Sequence, residues 1–181
     1  MSSTNKPDLR LGYAEYVLLP NDGNRHEIIE GDHYMNPAPS TYHQTVSKRL
    51  QYHLYSRIEL EGLGLVFDAP VDVQLSDFDI VQPDLLVLLK ATQARVTPAK
   101  INGPPDLVIE ILSPSTSDND RHLKRRVFER SGVSEYWIVD PDASRVTQLV
   151  LRDGVYAELT HGDELCLAIL PAICLRLSEI W

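Results

Sequence analysis

Two acidic side chains interrupt stretches of the sequence that are otherwise apolar. Glu110 lies inside the run 107–112, Leu-Val-Ile-Glu-Ile-Leu, and Asp84 directly precedes the run 85–89, Leu-Leu-Val-Leu-Leu. Such aliphatic runs predict strands covered on both faces, where a lone carboxylate is costly unless it is paired. Two carboxylates at adjacent strand positions supply the oxygen ligands that a hard divalent cation such as magnesium prefers.

A structural interpretation of the same two acids remains open. Pro83 has no N–H to donate and marks the first residue of a strand, so Asp84 could cap a turn. Glu110 could form a structural ion pair with a nearby arginine. Composition alone does not separate these roles from metal binding.

The helix predicted for residues 119–131 carries a lysine on its apolar side. On a helical wheel of about 100° per residue, Lys124 falls between Val127 and Phe128. A buried ammonium needs an anionic partner, and we expect one of the two acids above to provide it. The alternative is a lysine whose stem is buried and whose head lies in water. The other polar residues of the helix point outward: His122, Arg125, Arg126 and Glu129.

The periodicity of the chain predicts an α/β or α+β fold, a mixed sheet flanked by helices. Helices are predicted for residues 12–19, 41–61 and 119–131. The second begins at the capping box Thr41-x-x-Gln44, and the third has Ser117 or Asp118 as its cap and Gly132 after its end. The predicted strands are a pair within 26–35 that turns at Glu30-Gly31, and the runs 65–75, 85–89, 107–112, 135–139, 145–151 and 155–160.

Composition favours one globular domain over residues 1–181, with a flexible tail at 1–10. The 181 residues are 43% hydrophobic and 24% charged. The sequence shows neither a membrane-spanning run nor a signal-peptide core, so a cytoplasmic location is expected. Cys166 and Cys174 lack partners at zinc-finger spacing and are expected to be reduced core residues.

The formal charge of −9 means that the protein as a whole repels phosphate polyanions. A role on nucleic acid must therefore depend on local charge. The segment 121–130 supplies five basic residues against one acid.

Longer motifs resemble the "Putative restriction endonuclease" family, a bacterial family common in cyanobacteria that is part of the PD-(D/E)XK nuclease superfamily. The resemblance covers most of the chain from Tyr13 onward. The matching pieces are His26-Glu27-Ile28-Ile29-Glu30-Gly31, Pro39-Ser40-Thr41-Tyr42-His43, Val81-Gln82-Pro83-Asp84, Glu110-Ile111-Leu112-Ser113-Pro114-Ser115-Thr116 and Gly132-Val133-Ser134-Glu135-Tyr136-Trp137-Ile138-Val139-Asp140-Pro141.

The resemblance implies an endonuclease that hydrolyses phosphodiester bonds, in DNA, with magnesium or manganese. Asp84, Glu110 and the Ile111 carbonyl would hold the metal. The superfamily places a lysine two residues after its acid, but that position is Leu112 here. Similar nucleases recruit the lysine from the neighbouring helix, so Lys124 would orient water or help to deprotonate it.

Auxiliary roles follow from the same resemblance. Glu27 would add a metal ligand directly or through water, while Gln82 and His43 would hydrogen-bond to water or phosphate. The residues expected to contact the nucleic-acid backbone are Arg121, Arg125 and Arg126.

A non-catalytic function is the competing hypothesis. In it, a degenerate nuclease fold binds nucleic acid or a protein partner, and Glu110 and Lys124 form an internal ion pair. The sequence shows no second DNA-reading module such as a helix-turn-helix. Duplex cleavage would therefore favour a homodimer that places two sites on two strands.

Overall fold

The computed structural model describes residues 10–36, 38–113 and 119–181. Apart from Arg10, the predicted tail at 1–10 lies outside these residues, and so do the candidate caps Ser117 and Asp118. The single domain over 1–181 stays a prediction. Within the described residues the strands form three sheets with helices packed against them, which confirms the predicted α+β fold.

The elements are named here in chain order. They are α1 (Tyr13–Tyr16), β1 (Arg25–Ile29), β2 (Asp32–Asn36), α2 (Thr41–Leu54), β3 (Gly64–Asp68), β4 (Val73–Ser76), β5 (Asp79–Val81), β6 (Leu85–Leu89), β7 (Ile101–Asn102), β8 (Leu107–Ile111), α3 (Arg125–Ser131), β9 (Glu135–Asp140), β10 (Arg145–Arg152), β11 (Val155–Leu159), β12 (Glu164–Cys166) and β13 (Cys174–Arg176). π-Helical turns extend α2 over Tyr55–Glu59 and precede α3 over Asn119–Lys124.

The central sheet has six strands in the order β11-β10-β9-β8-β6-β3. β8 and β9 are parallel, and the other neighbours are antiparallel. Side chains of β6, β8 and β9 are almost all buried, as expected for aliphatic runs covered on both faces. Because β8 and β9 are parallel, the chain needs a crossover between them, and α3 lies in that connection.

The central sheet separates two apolar cores. On one face, Ile109 packs in the core that contains the buried side of α2 and the C-terminal residues. On the other face, Val108 packs in the core that contains Val127 and Phe128 of α3. Since strand side chains alternate between faces, Glu110 lies on the α3 side.

The second sheet has the order β2-β1-β5-β4-β7. Its β1–β2 hairpin confirms the strand pair predicted within 26–35. The turn uses Glu30 at φ 57° and Gly31 at φ 88°. A Cβ atom at Gly31 would lie 2.7 Å from Arg10 Cβ, so this position requires glycine for space as well as for backbone conformation.

Some predicted boundaries were wrong. The first helix is confined to Tyr13–Tyr16. The predicted strand 65–75 is two strands in different sheets, because Pro70 between them cannot donate to a ladder. The cap of α2 is Ser40, whose Oγ accepts from the His43 amide at 3.1 Å. No helix in the described part of the chain is long and apolar enough to cross a membrane.

The expectation for the two cysteines was also wrong. Cys166 and Cys174 form a disulfide between β12 and β13, where they are direct cross-strand partners. Cys166 is exposed, so it is not a core residue. Their pairing depends on the register of a short hairpin, which their spacing in the sequence does not reveal.

Arg130 attaches the end of α3 to the second sheet. Its guanidinium donates to both carboxylate oxygens of Asp79, at 2.8 and 2.9 Å, and to Glu30 Oε1 at 2.6 Å. Asp79 also accepts from the Glu30 amide and from Ser76 Oγ. Burial raises the pKa of Asp79, but the donors from Ser76, Glu30 and Arg130 outweigh it and leave the pKa below its ordinary 3.8.

We expect Asp79→Asn to lower the free energy of unfolding by about 1–3 kcal/mol near neutral pH, because it leaves donors of Arg130 unpaired. Folding lowers the pKa of Asp79 below its ordinary value of 3.8. The contribution of Asp79 to the stability of the protein is therefore present above pH 3.8 and is lost as the pH falls through the pKa of the folded state. Urea unfolding near pH 7 and near pH 3 measures this. The control is Asp77→Asn, at an exposed residue nearby. The expectation is contradicted if Asp79→Asn and the wild-type chain differ as much in free energy of unfolding near pH 3 as near pH 7.

Candidate active site

Three buried carboxylates from both larger sheets meet where β6 begins and β8 ends. β6 and β8 are antiparallel, with Leu85 opposite Ile109. Continuing this register by one residue places Asp84 across from Glu110. Glu27 of β1 reaches the same region through a shared contact with Lys124. Each of the three residues is at most 4% exposed.

Lys124 bridges two of these carboxylates. Its Nζ is 2.8 Å from Glu110 Oε1 and 3.0 Å from Glu27 Oε2, and the residue is 3% exposed. It ends the π-helical turn before α3, on the side where Val127 and Phe128 are buried. The predicted contact with Glu110 is therefore confirmed, and the alternative of an ammonium in bulk water is wrong. A catalytic role for Lys124 stays a prediction.

Neutral donors also hold Glu27 in place. Asn36 Nδ2 donates to its Oε2 and the Gln82 amide donates to its Oε1, each at 2.7 Å. Both oxygens are thus engaged within the protein, and the residue is fully buried. The protein itself therefore fixes the orientation of the Glu27 carboxylate, before any ligand binds.

Asp84 accepts three hydrogen bonds. Arg25 donates to Oδ1 at 2.7 Å, while the Ile111 amide and His43 Nε2 contact Oδ2 at 2.8 and 3.1 Å. Burial raises the pKa of Asp84, but His43, Arg25 and the Ile111 amide outweigh it and lower the pKa to about 2. Asp84 is therefore ionised at neutral pH.

A cleft of about 260 Å³ lies beside Asp84. Its lining includes Arg25, His43, Asn36 and residues of α2 such as Gln44 and Ser47. Arg25 Nε and His43 Nδ1 are buried and have no hydrogen-bond partner among the described residues. These nitrogens are available to a water or a ligand that enters the cleft.

Gln82 contributes to the site differently from the prediction. Its side-chain amide donates to Tyr16 Oη at 3.0 Å and to Asp72 Oδ1 at 2.8 Å, in a network with α1. Its backbone amide, and not its side chain, serves the site by fixing Glu27. Its Oε1 is buried and has no hydrogen-bond partner among the described residues, and a hydrogen bond from this side chain to water or phosphate stays a prediction.

The three arginines proposed for backbone contact are not equivalent. Arg126 is exposed and lies 3.5 Å from Glu30, and Arg125 is half-buried, so both lie toward the outside of the helix. The side chain of Arg121 lies outside the described residues. Contact with nucleic acid stays a prediction for all three.

The side chains of the predicted metal ligands already contact protein groups in this arrangement, and their binding of a metal stays a prediction. Among residues 10–36, 38–113 and 119–181, no three His, Cys, Asp or Glu side chains are close enough to hold a metal ion. Lys124 contacts both glutamates, and Arg25 occupies Asp84 Oδ1. Ile111 gives its amide to Asp84. Because the N–H and C=O groups of one strand residue point to the same side of the strand, the Ile111 carbonyl is expected to point toward Asp84 as well.

Leu112 occupies the position of the superfamily's usual lysine. It is 8% exposed and packs in the core beneath α3. The cation beside Glu110 comes from the crossover helix instead, as the sequence predicted.

Asn36 and Arg25 are site residues that the sequence analysis missed, and Arg25 is the one that contacts Asp84. It begins β1, where no apolar pattern marks it. The available signal was its place two residues before Glu27, which puts both side chains on the same face of a strand.

Comparison with known proteins identifies the family of the chain. The profile of the Uma2 family, described as "Putative restriction endonuclease", matches residues 13–178. The chain belongs to the Uma2 family. No curated protein matches it significantly.

A solved structure has the same fold as this Uma2 chain. It is described as "a putative nuclease belonging to DUF820 from Anabaena variabilis ATCC 29413". The superposition has a TM-score of 0.79 and 20% sequence identity, and covers 94% of this chain and 97% of that one. At this identity the similarity shows the fold alone. Membership of the Uma2 family is what points to a nuclease.

We expect Lys124→Met to lower the free energy of unfolding by about 3–5 kcal/mol, because it leaves two buried carboxylates without their cation. Adding Glu110→Gln should recover part of the loss, since it removes one of the two facing charges. Urea unfolding at neutral pH measures both variants.

The matched control is Arg126→Met, which removes a cation from the exposed side of the same helix. We expect a change within about 0.5 kcal/mol for it. A Lys124→Met variant as stable as this control would show that the bridge contributes nothing to the fold.

Proposed function

We propose that this chain is a magnesium- or manganese-dependent endonuclease that hydrolyses phosphodiester bonds in DNA. The observation that carries the proposal is the set of buried carboxylates Glu27, Asp84 and Glu110, of which Asp84 lines an open cleft. Buried acids are costly, and an acid with a shifted pKa in a cleft, as Asp84 is, is typical of a functional site. Membership of the Uma2 family supports the same class of chemistry.

The charge of the site supports a divalent cation. Among the described residues, three carboxylates face two side-chain cations, Arg25 and Lys124, so the formal charges of these five groups sum to −1. A divalent cation would change this sum to +1. A phosphodiester carries one negative charge, so the loaded site would be matched to its substrate.

The chemistry of the donors also fits magnesium. Asp84, Glu110 and the Ile111 carbonyl are hard oxygen donors, and Glu27 would act directly or through water. A carboxylate offers about four lone-pair positions, and Asp84 uses three of them within the described residues. When bound, the metal would polarise the phosphoryl group and lower the pKa of water.

The protein's own side chains would supply the remaining functions. Lys124 would hold the attacking water and stabilise the charge that develops on the phosphoryl oxygens. The water oxygen forms its bond to phosphorus as the bond to the leaving sugar oxygen breaks, and that oxygen takes up a proton. His43 keeps Asp84 in place through Nε2 and presents Nδ1 as an acceptor for a water.

One observation favours the second candidate, a non-catalytic binding module. The carboxylates already have protein partners, Lys124 for both glutamates and three donors for Asp84. A degenerate nuclease fold could retain this network for stability alone. Binding of nucleic acid without metal-dependent products would favour this candidate.

The partner we propose is DNA, bound by a homodimer in the cytoplasm. A single site would cut duplex DNA one strand at a time, whereas a two-fold dimer presents two sites. Light scattering over a range of concentrations measures the assembly, and the mass of a single chain throughout would contradict the dimer.

We expect metal-dependent products when the protein is incubated with plasmid or with labelled single strands and Mg²⁺ or Mn²⁺. EDTA should abolish them. Asp84→Asn and Lys124→Ala should each slow cleavage on the order of a hundredfold or more. The first removes a proposed metal ligand, and the second removes the cation that would hold the attacking water.

Glu158→Gln is the matched control, because it removes an exposed acid on β11, at the far edge of the central sheet. It should cleave like the wild-type chain. Activity that persists in EDTA or in Asp84→Asn would identify a contaminant or a different site. No product from either substrate would favour the binding module.

A further inference from the structure

We propose that Arg25 and the divalent cation compete for Asp84, and that Arg25, once displaced, binds a phosphate of the substrate in the cleft. The inference rests on the proposed function and extends it to a residue with no role assigned so far. Arg25 would then be a substrate-binding residue that also sets the affinity of the site for metal.

The contacts of Asp84 identify Arg25 as the competitor. Among the described residues, Oδ2 accepts two hydrogen bonds, from the Ile111 amide and His43, whereas Oδ1 accepts one, from Arg25. The Arg25 guanidinium lies 2.7 Å from Oδ1, so it occupies a position where a cation would contact this oxygen. A metal on the remaining lone pair of Oδ1 would lie beside this guanidinium, and repulsion between the two cations favours displacement of Arg25.

Burial distinguishes Arg25 from the other cation of the site. Lys124 has a side chain only 4% exposed and is held between two glutamates. The Arg25 side chain is 21% exposed, lines the cleft and contacts one carboxylate. Of these two cations, Arg25 is the one with room to move.

The unused donors of Arg25 indicate what it would bind after moving. Its Nε is buried and has no hydrogen-bond partner among the described residues. A guanidinium carries five N–H donors arranged as a planar fork, and this fork matches two oxygens of a phosphate. Displacement from Asp84 would therefore free the fork for a substrate phosphate in the same cleft.

Mn²⁺ binding tests the first half of the inference without any need for turnover. Isothermal titration of Mn²⁺ into Arg25→Gln should show roughly tenfold tighter binding than wild type, because the competing cation is gone. Arg25→Lys keeps a charge that can hold Asp84 and should remain near the wild-type affinity. Arg152→Gln, which removes an exposed arginine on β10, should also match wild type.

Binding of a labelled DNA oligonucleotide tests the second half. In fluorescence anisotropy with Ca²⁺ as the cation, both Arg25→Gln and Arg25→Lys should bind about tenfold more weakly than wild type, since neither offers the fork. Thermal melts check that each variant is folded. Arg25→Lys retains the ion pair and carries this second test if Arg25→Gln does not fold. Arg25→Met, which also removes the competing charge, then carries the first test and should bind Mn²⁺ more tightly than wild type.

The outcomes separate this inference from the proposed function. Mn²⁺ affinity in Arg25→Gln equal to or weaker than wild type would overturn the competition, and so would a wild-type chain that binds no Mn²⁺. Unchanged oligonucleotide affinity in both Arg25 variants would overturn the phosphate contact. If the affinities for Mn²⁺ and for the oligonucleotide change as expected in the Arg25 variants but the wild-type chain cuts no strand, the nuclease proposal fails while the exchange at Arg25 stands.

Discussion

The buried bridge formed by Lys124 is the interaction on which the rest of the site depends. An ammonium at this depth requires anions, and the two glutamates it contacts require a cation, so each side stabilises the other. The bridge joins the crossover helix α3 to β8 of the central sheet and to β1 of the second sheet. Arg130 makes a parallel connection at the other end of α3. The helix is thus held at both ends by ion pairs to the second sheet.

Features that depend on chain periodicity could be predicted from the sequence. Glu110 is conspicuous because it interrupts an aliphatic run, and Lys124 because the helical repeat places it on an apolar arc. Contacts between distant segments could not be predicted in this way. The pairing of Arg25 with Asp84 and the register that places Cys166 opposite Cys174 depend on tertiary structure. The short strands β5, β7, β12 and β13 were missed because two or three residues contain too little pattern to show a period.

The charge of the whole chain and the charge of the site act in the same direction. A formal charge of −9 attracts small cations and repels nucleic acid, and the site itself carries an excess of carboxylates. Under the proposed function, a metal ion therefore meets a favourable field and DNA an unfavourable one. Neutralisation of the carboxylates would favour the approach of the substrate.

The distance along the chain between Glu27 and Lys124 also determines when during folding the site can exist. Contacts between residues far apart in sequence require closure of long loops and form late relative to local hairpins. A nascent chain that has folded only its β1–β2 hairpin holds Glu27 without the lysine, and one that ends at β8 holds all three acids without it. Under the proposed function, a chain still on the ribosome would lack a complete site, and could not cut DNA, until Lys124 and α3 have emerged.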